Sequence, residues 1–252
     1  MITVVVCGAL GRMGMTVGKL VHESQDCELV GGVDVREGMF YDVPVAPSDR
    51  IDEVLANTRP DVLVDFTVAA AAVQNIAAAA RYGVAPVVGT TGFSDAQRAA
   101  IKTAVEGHVP AVISGNFSVG MNVFLHLVHE AAKKLGDYDI EVTEAHHRYK
   151  KDAPSGTAKM ILEAIEAEVG TRDKVYGREG LRERKNEIGV HVIRGGDIVG
   201  DHAVLFAGNY ECITLSHRAY DRAVFASGAL RAVRWVRGKK PGIYAMADVL
   251  GL

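Results

Sequence analysis

The sequence predicts an α/β protein of two domains: a parallel sheet covered by helices, and an inserted α+β domain with a mixed or antiparallel open sheet. Three observations predict this fold. Apolar strand-like runs alternate with helical stretches over the first 117 residues, strand-like segments dominate up to about residue 217, and helical spacing returns from Val224. Apolar strands separated by helices are typical of parallel sheets buried on both faces. We therefore expect one domain at 1–117 and 223–252 and a second at 118–222.

The first domain is predicted from β-branched apolar runs, each followed by a stretch that is compatible with a helix. The predicted strands are Val4–Cys7, CELVGGVDV from Cys27, Val62–Phe66, Ala85–Val88 and Ala111–Ser114. The predicted helices are Arg12–His22, Ala69–Tyr82 and Asp95–Glu106.

The second domain is predicted from a helix at 123–135 followed by closely spaced strands. The strand-like segments are YDIEVTEA, IGVHVIRG, HAVLFAG and ECITLSH. The last two meet around Gly208 and Asn209, which is typical of a hairpin turn. A helix over Ser155–Glu168 interrupts these strands, because Ile161 and Ile165 fall on one helical face.

The C-terminal tail is predicted to return to the first domain. Ala229, Val233 and Val236 recur at helical spacing before Pro241 and Gly242 end the helix. A final helix beside the first sheet makes the first domain discontinuous, with the second domain inserted into it.

Composition excludes several classes of protein. A chain of 252 residues with 48% hydrophobic residues can bury a sizeable core. Its three cysteines leave one unpaired in any disulfide scheme, which favours a reducing, cytoplasmic location. The start MITVVVCGALG has the pattern of a buried strand rather than of a signal peptide.

Charge and hydropathy argue against nucleic-acid and membrane partners. The net charge is −3 and aromatic residues make up 6%, whereas nucleic-acid binding favours a basic excess and stacking side chains. The longest run of low polarity, at 68–80, contains Gln74 and Asn75 and is too short to cross roughly 30 Å of hydrocarbon. The charge-dense segment at 171–187 alternates in sign, which predicts a solvated surface.

A glycine turn follows the first predicted strand. Gly8, Gly11 and Gly14 lie between that strand and the start of a helix, where backbone N–H groups can approach phosphate oxygens without a Cβ in the way. The spacing is G-x-x-G-x-x-G, with Leu10 where a middle glycine usually stands. A glycine turn at this place also occurs for purely structural reasons.

Two side chains beyond this turn favour a Rossmann-like, dinucleotide-binding domain. Asp34 ends the second strand 20 residues past Gly14, where a carboxylate can accept hydrogen bonds from an adenosine ribose. Arg36 can pair with a 2′-phosphate. Having both side chains predicts that NADH and NADPH are both accepted.

The segment EAHHRYKKDAPSGT at 144–157 crowds five basic side chains into six positions: His146, His147, Arg148, Lys150 and Lys151. Such a block repels itself, so a negative group is expected near it. Ser155 is a predicted N-cap, and the N–H groups of Gly156 and Thr157 then lie at the positive end of a helix. Together these features predict a site for carboxylate groups.

Each part of this segment also has a structural interpretation, since paired histidines are often surface or core residues and PSGT is a common helix start. A metal site is not expected, because His146 and His147 point to opposite faces of an extended chain and no cysteine or nearby carboxylate completes a tetrahedral set. His126 and His129, three apart on a predicted helix, are expected to be packing residues.

Seven motifs together resemble the dihydrodipicolinate reductase family, of the diaminopimelate route to lysine. They are GALGRMG at 8–14, DFT at 65–67, GTTG at 89–92, NFSVG at 116–120, EAHHRYKKDAPSGTA at 144–158, RGGDIVGDH at 194–202 and the C-terminal DVLGL. The resemblance covers nearly the whole length, and HHRxKxDAPSGTA is its most specific part.

The resemblance implies an NADH- or NADPH-dependent reduction of 4-hydroxy-tetrahydrodipicolinate with loss of water. A cyclic dicarboxylate substrate accounts for the cationic segment. The resemblance also implies a homotetramer built through the sheet of the second domain, whose strands otherwise leave open edges. Two other functions share the same plan: a dehydrogenase of another amino or hydroxy acid, and a dinucleotide sensor without catalysis.

The resemblance assigns roles to individual residues. His146 is implied as a proton donor or acceptor and Lys150 as a proton donor, while His147, Gly156 and Thr157 are implied to bind substrate carboxylate. The implied cofactor residues are Gly8, Ala9, Leu10, Gly11, Arg12, Met13, Asp34, Arg36, Gly89, Thr90, Thr91, Ser114, Gly115, Asn116 and Phe117.

Overall fold

The structure, a computed structural model, describes residues 1–252 and divides into two compact units. The first unit consists of Met1–Val119 and Ala223–Leu252, and the second of Gly120–Arg222. Each unit has its own sheet and its own apolar core. The predicted α/β fold with two different sheets is confirmed. None of the helices combines the length and the apolar character that crossing a bilayer requires.

Thirteen strands form the two sheets. In chain order they are β1 (Ile2–Cys7), β2 (Cys27–Asp34), β3 (Gly38–Phe40), β4 (Val43–Pro47), β5 (Val62–Asp65), β6 (Ala85–Val88), β7 (Pro110–Ile113), β8 (Asp139–His146), β9 (Asp173–Tyr176), β10 (Glu187–Arg194), β11 (Gly200–Ala207), β12 (Cys212–Ala219) and β13 (Gly242–Tyr244). The first sheet has the order β13-β7-β6-β5-β1-β2-β4-β3 and the second β12-β11-β8-β10-β9.

Eight α-helices connect these strands. They are α1 (Arg12–His22), α2 (Ile51–Thr58), α3 (Ala69–Arg81), α4 (Asp95–Val105), α5 (Val119–Lys134), α6 (Gly156–Val169), α7 (Ala223–Val236) and α8 (Met246–Leu250). The start of α4 shows how local sequence sets a boundary. The Ser94 side chain accepts from the Gln97 N–H, and the Gln97 side chain accepts from the Ser94 N–H, which is a capping box.

The first sheet is parallel except for the β3–β4 pair, and its central strands are buried on both faces. Val4 and Val6 of β1 pack in the cluster that includes side chains of α1 and α7, whereas Val5 and Cys7 pack in the cluster that includes side chains of α2 and α3. Successive residues of a strand point to opposite faces, so both faces of β1 require apolar residues. This explains the unbroken apolar run at 4–7.

The second sheet is mixed. Strand β8 pairs parallel with β10 and antiparallel with β11, which in turn pairs antiparallel with β12. Helices α5 and α6 cover one face, through a core that includes Phe124, Ile161 and Phe206. Burial along β11 strictly alternates, as expected of a sheet that is covered on one side only.

Two expectations about the second unit need correction. Segment 171–187 is not solvated throughout, since it contributes the edge strand β9, with Val175 buried. Its last residue, Glu187, is buried against Arg178 at 2.6 Å. The prediction that His126 and His129 are both packing residues is wrong: His126 is exposed, and His129 Nε2 lies 3.1 Å from the Glu168 carboxylate.

Candidate active site

The glycine turn between β1 and α1 requires glycine at two positions. Gly8 has a φ of +76°, in the left-handed region that side chains rarely adopt. A Cβ on Gly14 would lie 2.0 Å from the carbonyl oxygen of Gly8, so the first turn of α1 packs directly on the loop. No side chain caps α1 at Gly11. The positive end of α1 is therefore available to an anion such as a phosphate.

Asp34 joins this turn to the end of β2. Its Oδ2 accepts a hydrogen bond from the Leu10 N–H at 2.9 Å, and its Oδ1 accepts from the Val35 N–H at 2.7 Å. A carboxylate has about four acceptor sites, so Asp34 retains capacity toward a ribose hydroxyl. A cavity of about 220 Å³ adjoins Asp34 and is lined also by Gly8, Ser48 and Val68. Arg36 is exposed beyond the strand end.

The other predicted cofactor residues follow neighbouring strands. Gly89–Thr91 follow β6 and Ser114–Phe117 follow β7. The carboxyl ends of parallel strands meet at one edge of the sheet, which places these loops at the same edge as the glycine turn. A Cβ on Gly89 would lie 2.1 Å from the Phe66 ring, so this loop also requires glycine. The residues present therefore fit a dinucleotide along this edge.

Asp65, which was not assigned a role from the sequence, ties these loops together. Its carboxylate is fully buried at the end of β5. It accepts hydrogen bonds from the Thr67 N–H at 3.0 Å and hydroxyl at 2.8 Å, from the Thr90 hydroxyl at 2.7 Å and from the Asn75 amide at 2.7 Å. This one side chain thus fixes the loops after β5 and β6.

In the second unit, the cationic segment runs from the end of β8 to the start of α6. Ser155 is the N-cap as predicted, since its hydroxyl accepts from the Ala158 N–H at 3.1 Å. Lys150 is largely buried, and its Nζ lies 2.9 Å from the Asp152 carboxylate. Hydrogen bonding to Lys150 lowers the pKa of Asp152.

The remaining residues of this segment differ in exposure. His147 is half-buried, whereas Arg148 and Lys151 are exposed. Gly156 lies at the exposed first position of α6, and Thr157 beside it is half-buried. The structure therefore brings the predicted substrate residues of the segment to one helix N-terminus.

His146, the last residue of β8, contacts a buried carboxylate. Its Nδ1 lies 2.5 Å from Oε2 of Glu144, which has no exposed surface. The Arg194 guanidinium donates to both oxygens of Glu144, each at 2.9 Å, and the Ser155 N–H donates to Oε1 at 2.9 Å. The carboxylate is therefore held by three groups, from β10, from the N-cap of α6 and from its own strand.

Burial and charge set the ionisation of this group. Burial raises the pKa of Glu144, but hydrogen bonds from Arg194, His146 and Ser155 outweigh it, and the pKa lies below its ordinary value. Burial lowers the pKa of His146, the positive charges of Lys150 and Arg194 lower it further, and Glu144 only partly opposes them. At neutral pH the pair is an ionised carboxylate beside a neutral imidazole.

A third histidine completes the cluster. His202 on β11 is buried, with its ring centroid 5.2 Å from that of His146 and its Nε2 3.4 Å from the Ser155 hydroxyl. Burial lowers the pKa of His202 to about 4, with a smaller contribution from His146. His202 is therefore neutral at physiological pH.

The sequence-based reason for expecting no metal ion was wrong in one respect. A carboxylate does lie beside the histidines, because ligand atoms of Glu144, His146 and His202 all lie within 4.8 Å of one another. However, four hydrogen bonds already occupy the roughly four acceptor sites of Glu144. The Glu144 carboxylate is therefore arranged to bind the Arg194 guanidinium and not a metal ion.

Glu144, Arg194 and His202 are the residues of this site that the sequence did not reveal. They meet because of strand register: Arg194 on β10 pairs with His146, and His202 on β11 pairs with Glu144. The motif RGGDIVGDH contains Arg194 and His202, and Glu144 begins the motif EAHHRYKKDAPSGTA, so these two motifs are the signals that could have pointed to this site.

Comparison with known protein families gives two matches along the chain. The N-terminal model of the dihydrodipicolinate reductase family matches residues 2–117, and the C-terminal model of that family matches residues 120–250. This chain belongs to the dihydrodipicolinate reductase family. The resemblance seen in the sequence motifs is thereby confirmed.

Two curated relatives and one solved structure illustrate the similarity to this family. The chain is 69% identical to the 4-hydroxy-tetrahydrodipicolinate reductase of Methanoculleus marisnigri, over 100% of both chains. It is 65% identical to that of Methanoregula boonei, over 100% of this chain and 99% of the other. A dihydrodipicolinate reductase from Paenisporosarcina sp. TG-14, solved with dipicolinate bound, matches 98% of each chain with a TM-score of 0.84 and 26% identity.

Proposed function

We propose that this chain catalyses the NADH- or NADPH-dependent reduction of 4-hydroxy-tetrahydrodipicolinate to tetrahydrodipicolinate, with loss of water, in the diaminopimelate route to lysine. The observation that carries the proposal is the cationic segment at 144–157, in which His146 is braced by buried Glu144 and precedes Lys150 and the N-terminus of α6. Relatives of 69% and 65% identity bear the name of this reductase.

The substrate side of the proposal rests on charge. A ring with two carboxylates offers two negative groups, and the segment offers basic side chains at a helix start. His147, Gly156 and Thr157 are the proposed carboxylate-binding residues, since the positive end of α6 favours an anion there. The Paenisporosarcina relative holds dipicolinate, a planar ring diacid, which supports a substrate of this class.

The first unit binds the cofactor, and the second unit provides the groups that transfer protons. When bound along the edge of the first sheet, the reduced nicotinamide supplies a hydride. Lys150 supplies positive charge and a proton where negative charge develops on the ring, and His146 exchanges a proton with the substrate. General acid–base groups of this kind contribute about 100-fold to 10,000-fold each to a rate.

Acceptance of both cofactors is proposed from two side chains at the end of β2. Asp34 suits the free ribose of NADH, and Arg36 suits the 2′-phosphate of NADPH. Isothermal titration should give dissociation constants for the two cofactors within about a thousandfold, roughly 4 kcal/mol. Arg36→Ala should weaken NADPH about tenfold and leave NADH within twofold, whereas Arg81→Ala, an exposed arginine paired with Asp52, should change neither.

The proposed assembly is a homotetramer in the cytoplasm, formed through the sheet of the second unit. Strands β12 and β9 are open edges, and Ile193 and Ile213 expose apolar surface on this sheet. Sedimentation velocity should give a species of about four times 26.9 kDa. Ile213→Lys should shift that species to a lower mass, and a monomeric wild type would exclude the assembly.

The function is tested by following NADH oxidation with the freshly made condensation product of pyruvate and aspartate semialdehyde. Turnover that requires this product supports the reductase. Good dinucleotide binding without turnover would instead support the sensor, and turnover with other amino or hydroxy acids and oxidised cofactor would support a different dehydrogenase. His126→Ala, at an exposed helix position, serves as the control variant and should retain wild-type rates.

A further inference from the structure

We propose that Glu144 and Arg194 form a positioning pair that fixes the tautomer of His146, with the proton on Nδ1, so that Nε2 is a proton acceptor. The inference rests on the proposed function and deepens it, because it divides the two proton-transfer roles between His146 and Lys150. Neither Glu144 nor Arg194 needs to touch the substrate for this role.

The carboxylate of Glu144 can act on His146 only as an acceptor. It has no exposed surface, and Arg194 holds it ionised through two hydrogen bonds of 2.9 Å. An ionised carboxylate has no proton to donate, so at 2.5 Å the proton of the contact belongs to Nδ1 of His146. With Nδ1 protonated in a neutral imidazole, Nε2 carries the lone pair.

The surroundings leave Nε2 accessible. The hydrogen bond that the His146 ring makes within the chain uses Nδ1. A Cβ at position 200 would lie 3.2 Å from Nε2, so glycine at that position keeps the space in front of this atom open. Gly200 begins β11, two residues before His202.

The charges around the His146 ring also favour its role as a proton acceptor. The groups that face it are Glu144 on its own strand, Arg194 from β10, His202 from β11 and Lys150 from the following loop. Two are cations, His202 is neutral at physiological pH, and the negative charge of Glu144 is matched by Arg194. Burial together with these cations keeps the pKa of His146 below its usual value, so a neutral ring enters the reaction.

A proton acceptor is needed when the hydroxylated ring loses water. Nε2 of His146 takes the proton from the carbon beside the one that bears the hydroxyl, and the C–H electron pair becomes the new ring double bond. The hydroxide leaves and receives a proton from the Lys150 ammonium, which forms water. One imidazolium and one neutral amine remain, so charge and atoms balance. Before the hydride transfer the imidazolium releases its proton to water and the amine takes one up, so Lys150 is again a cation when negative charge develops on the ring.

Arg194 links the two residues that perform this step. Besides holding Glu144, its Nε donates to the Lys150 carbonyl at 3.3 Å and its Nη2 to the Asp152 carbonyl at 2.7 Å. One guanidinium therefore fixes both the tautomer of His146 and the backbone of the Lys150 loop. Lysine cannot reproduce this fork of donors.

The first test is made on the wild-type protein with ¹⁵N-labelled histidine. The ring signals of His146 are assigned by their loss in His146→Gln. At pH 7.5 we expect the one-bond N–H coupling on Nδ1 and none on Nε2. A proton on Nε2 would overturn the proposal, whatever the substrate proves to be, so this result is separate from the proposed function.

The second test compares Glu144→Gln with Glu141→Gln. Glu141 lies on the same strand and also contacts a histidine, His191 at 2.8 Å, and arginines, so it is a matched control. We expect Glu144→Gln to lower kcat/KM by about 100-fold or more with NADH affinity unchanged, and Glu141→Gln to stay within about twofold. The acid limb of the pH profile should also move to lower pH, because the acceptor that raises the pKa of His146 is lost.

If Glu144→Gln does not fold, Arg194→Lys tests the same pair of residues. This variant retains the charge and loses the fork, and kcat/KM should fall at least tenfold with the fold intact by circular dichroism. Rates within threefold of wild type in either folded variant, or an unmoved acid limb in Glu144→Gln, would reduce the pair to a structural role. Absence of turnover in the wild type would overturn the proposed function and leave the tautomer result standing.

Discussion

The Asn75 amide donates a hydrogen bond of 2.7 Å to Oδ2 of Asp65, and both side chains are buried. The other oxygen of Asp65 is occupied by Thr67 and Thr90, so Asn75 orients a carboxylate that holds two loops at the edge of the first sheet. A buried charge of this kind is tolerated only when its acceptor sites are filled.

Exchanging the two groups provides a test. Asp65→Asn should place an amide against the Asn75 amide and leave a buried donor without an acceptor, at a cost of about 1–3 kcal/mol in the free energy of unfolding. The double variant Asp65→Asn with Asn75→Asp restores donor and acceptor in reversed order and should recover most of that loss. Urea denaturation measures both, and a double variant no more stable than the single one would contradict the role of this pair.

Substitution of Gly14 separates helix propensity from steric fit. Alanine inside a helix is normally more stable than glycine by about 0.5–1 kcal/mol. Here the new Cβ would lie 2.0 Å from the Gly8 carbonyl oxygen, a backbone atom that cannot move without opening the turn. We expect Gly14→Ala to lose about 1–3 kcal/mol of stability and to raise the dissociation constant of NADH at least tenfold.

Lys19→Ala is the matched control for this helix, because Lys19 lies on α1 with 60% of its side chain exposed. It should leave both quantities within about 0.5 kcal/mol of wild type. If Gly14→Ala proved as stable as Lys19→Ala and bound NADH normally, the close packing of α1 on the turn would not matter for the cofactor.

Lys150 is predicted to act on turnover and not on cofactor binding. Its Nζ is held by Asp152 in the second unit, whereas the predicted cofactor residues belong to the first. Lys150→Ala should therefore reduce kcat by about 100-fold or more and change the dissociation constant of NADH less than twofold. Stopped-flow turnover and fluorescence titration measure the two quantities.

The neighbouring exposed lysine provides the comparison. Lys151→Ala removes the same charge one residue away and should retain kcat within about threefold. Equal losses of turnover and of NADH affinity in Lys150→Ala would mean that the residue supports the fold of the segment and has no role in proton transfer.

The sequence predicted best the strands that are buried on both faces of the sheet. Strands such as β1 and β5 give unbroken apolar runs because both faces are covered. Strand β4 was missed because Pro44 and Pro47 argue against a strand, and it is tolerated beside the edge strand β3. Helix α2 buries only Ile51 and Leu55, and that spacing is too short for a periodic signal.

At the site, too, features set by neighbouring residues were predicted, whereas contacts between distant strands were not. The local string at 144–157 predicted the N-cap at Ser155 and the cationic segment, because those features depend on neighbours in sequence. The contact of Arg194 with Glu144 joins residues 50 positions apart through strand register. A single sequence carries no signal for register between distant strands, so the positioning pair became visible only in the structure.

Acid should destabilise the protein through His202. Burial lowers its pKa to about 4 in the folded chain, from an ordinary value of 6.5. The unfolded chain therefore binds a proton at higher pH than the folded chain does. The contribution of His202 to stability is complete well above pH 6.5 and is lost as the pH falls through 6.5 toward 4, with a loss of about 2 kcal/mol at pH 5.

The prediction is checked by urea denaturation at pH 8 and pH 5 and at fixed protein concentration, for the wild type and His202→Gln. Glutamine does not titrate, so the variant should lose about 2 kcal/mol less than the wild type between the two pH values. His126→Gln, at an exposed histidine, should lose as much as the wild type. Parallel losses in all three proteins would mean that His202 can be protonated in the folded state without cost, and that the cluster around His146 is open to water.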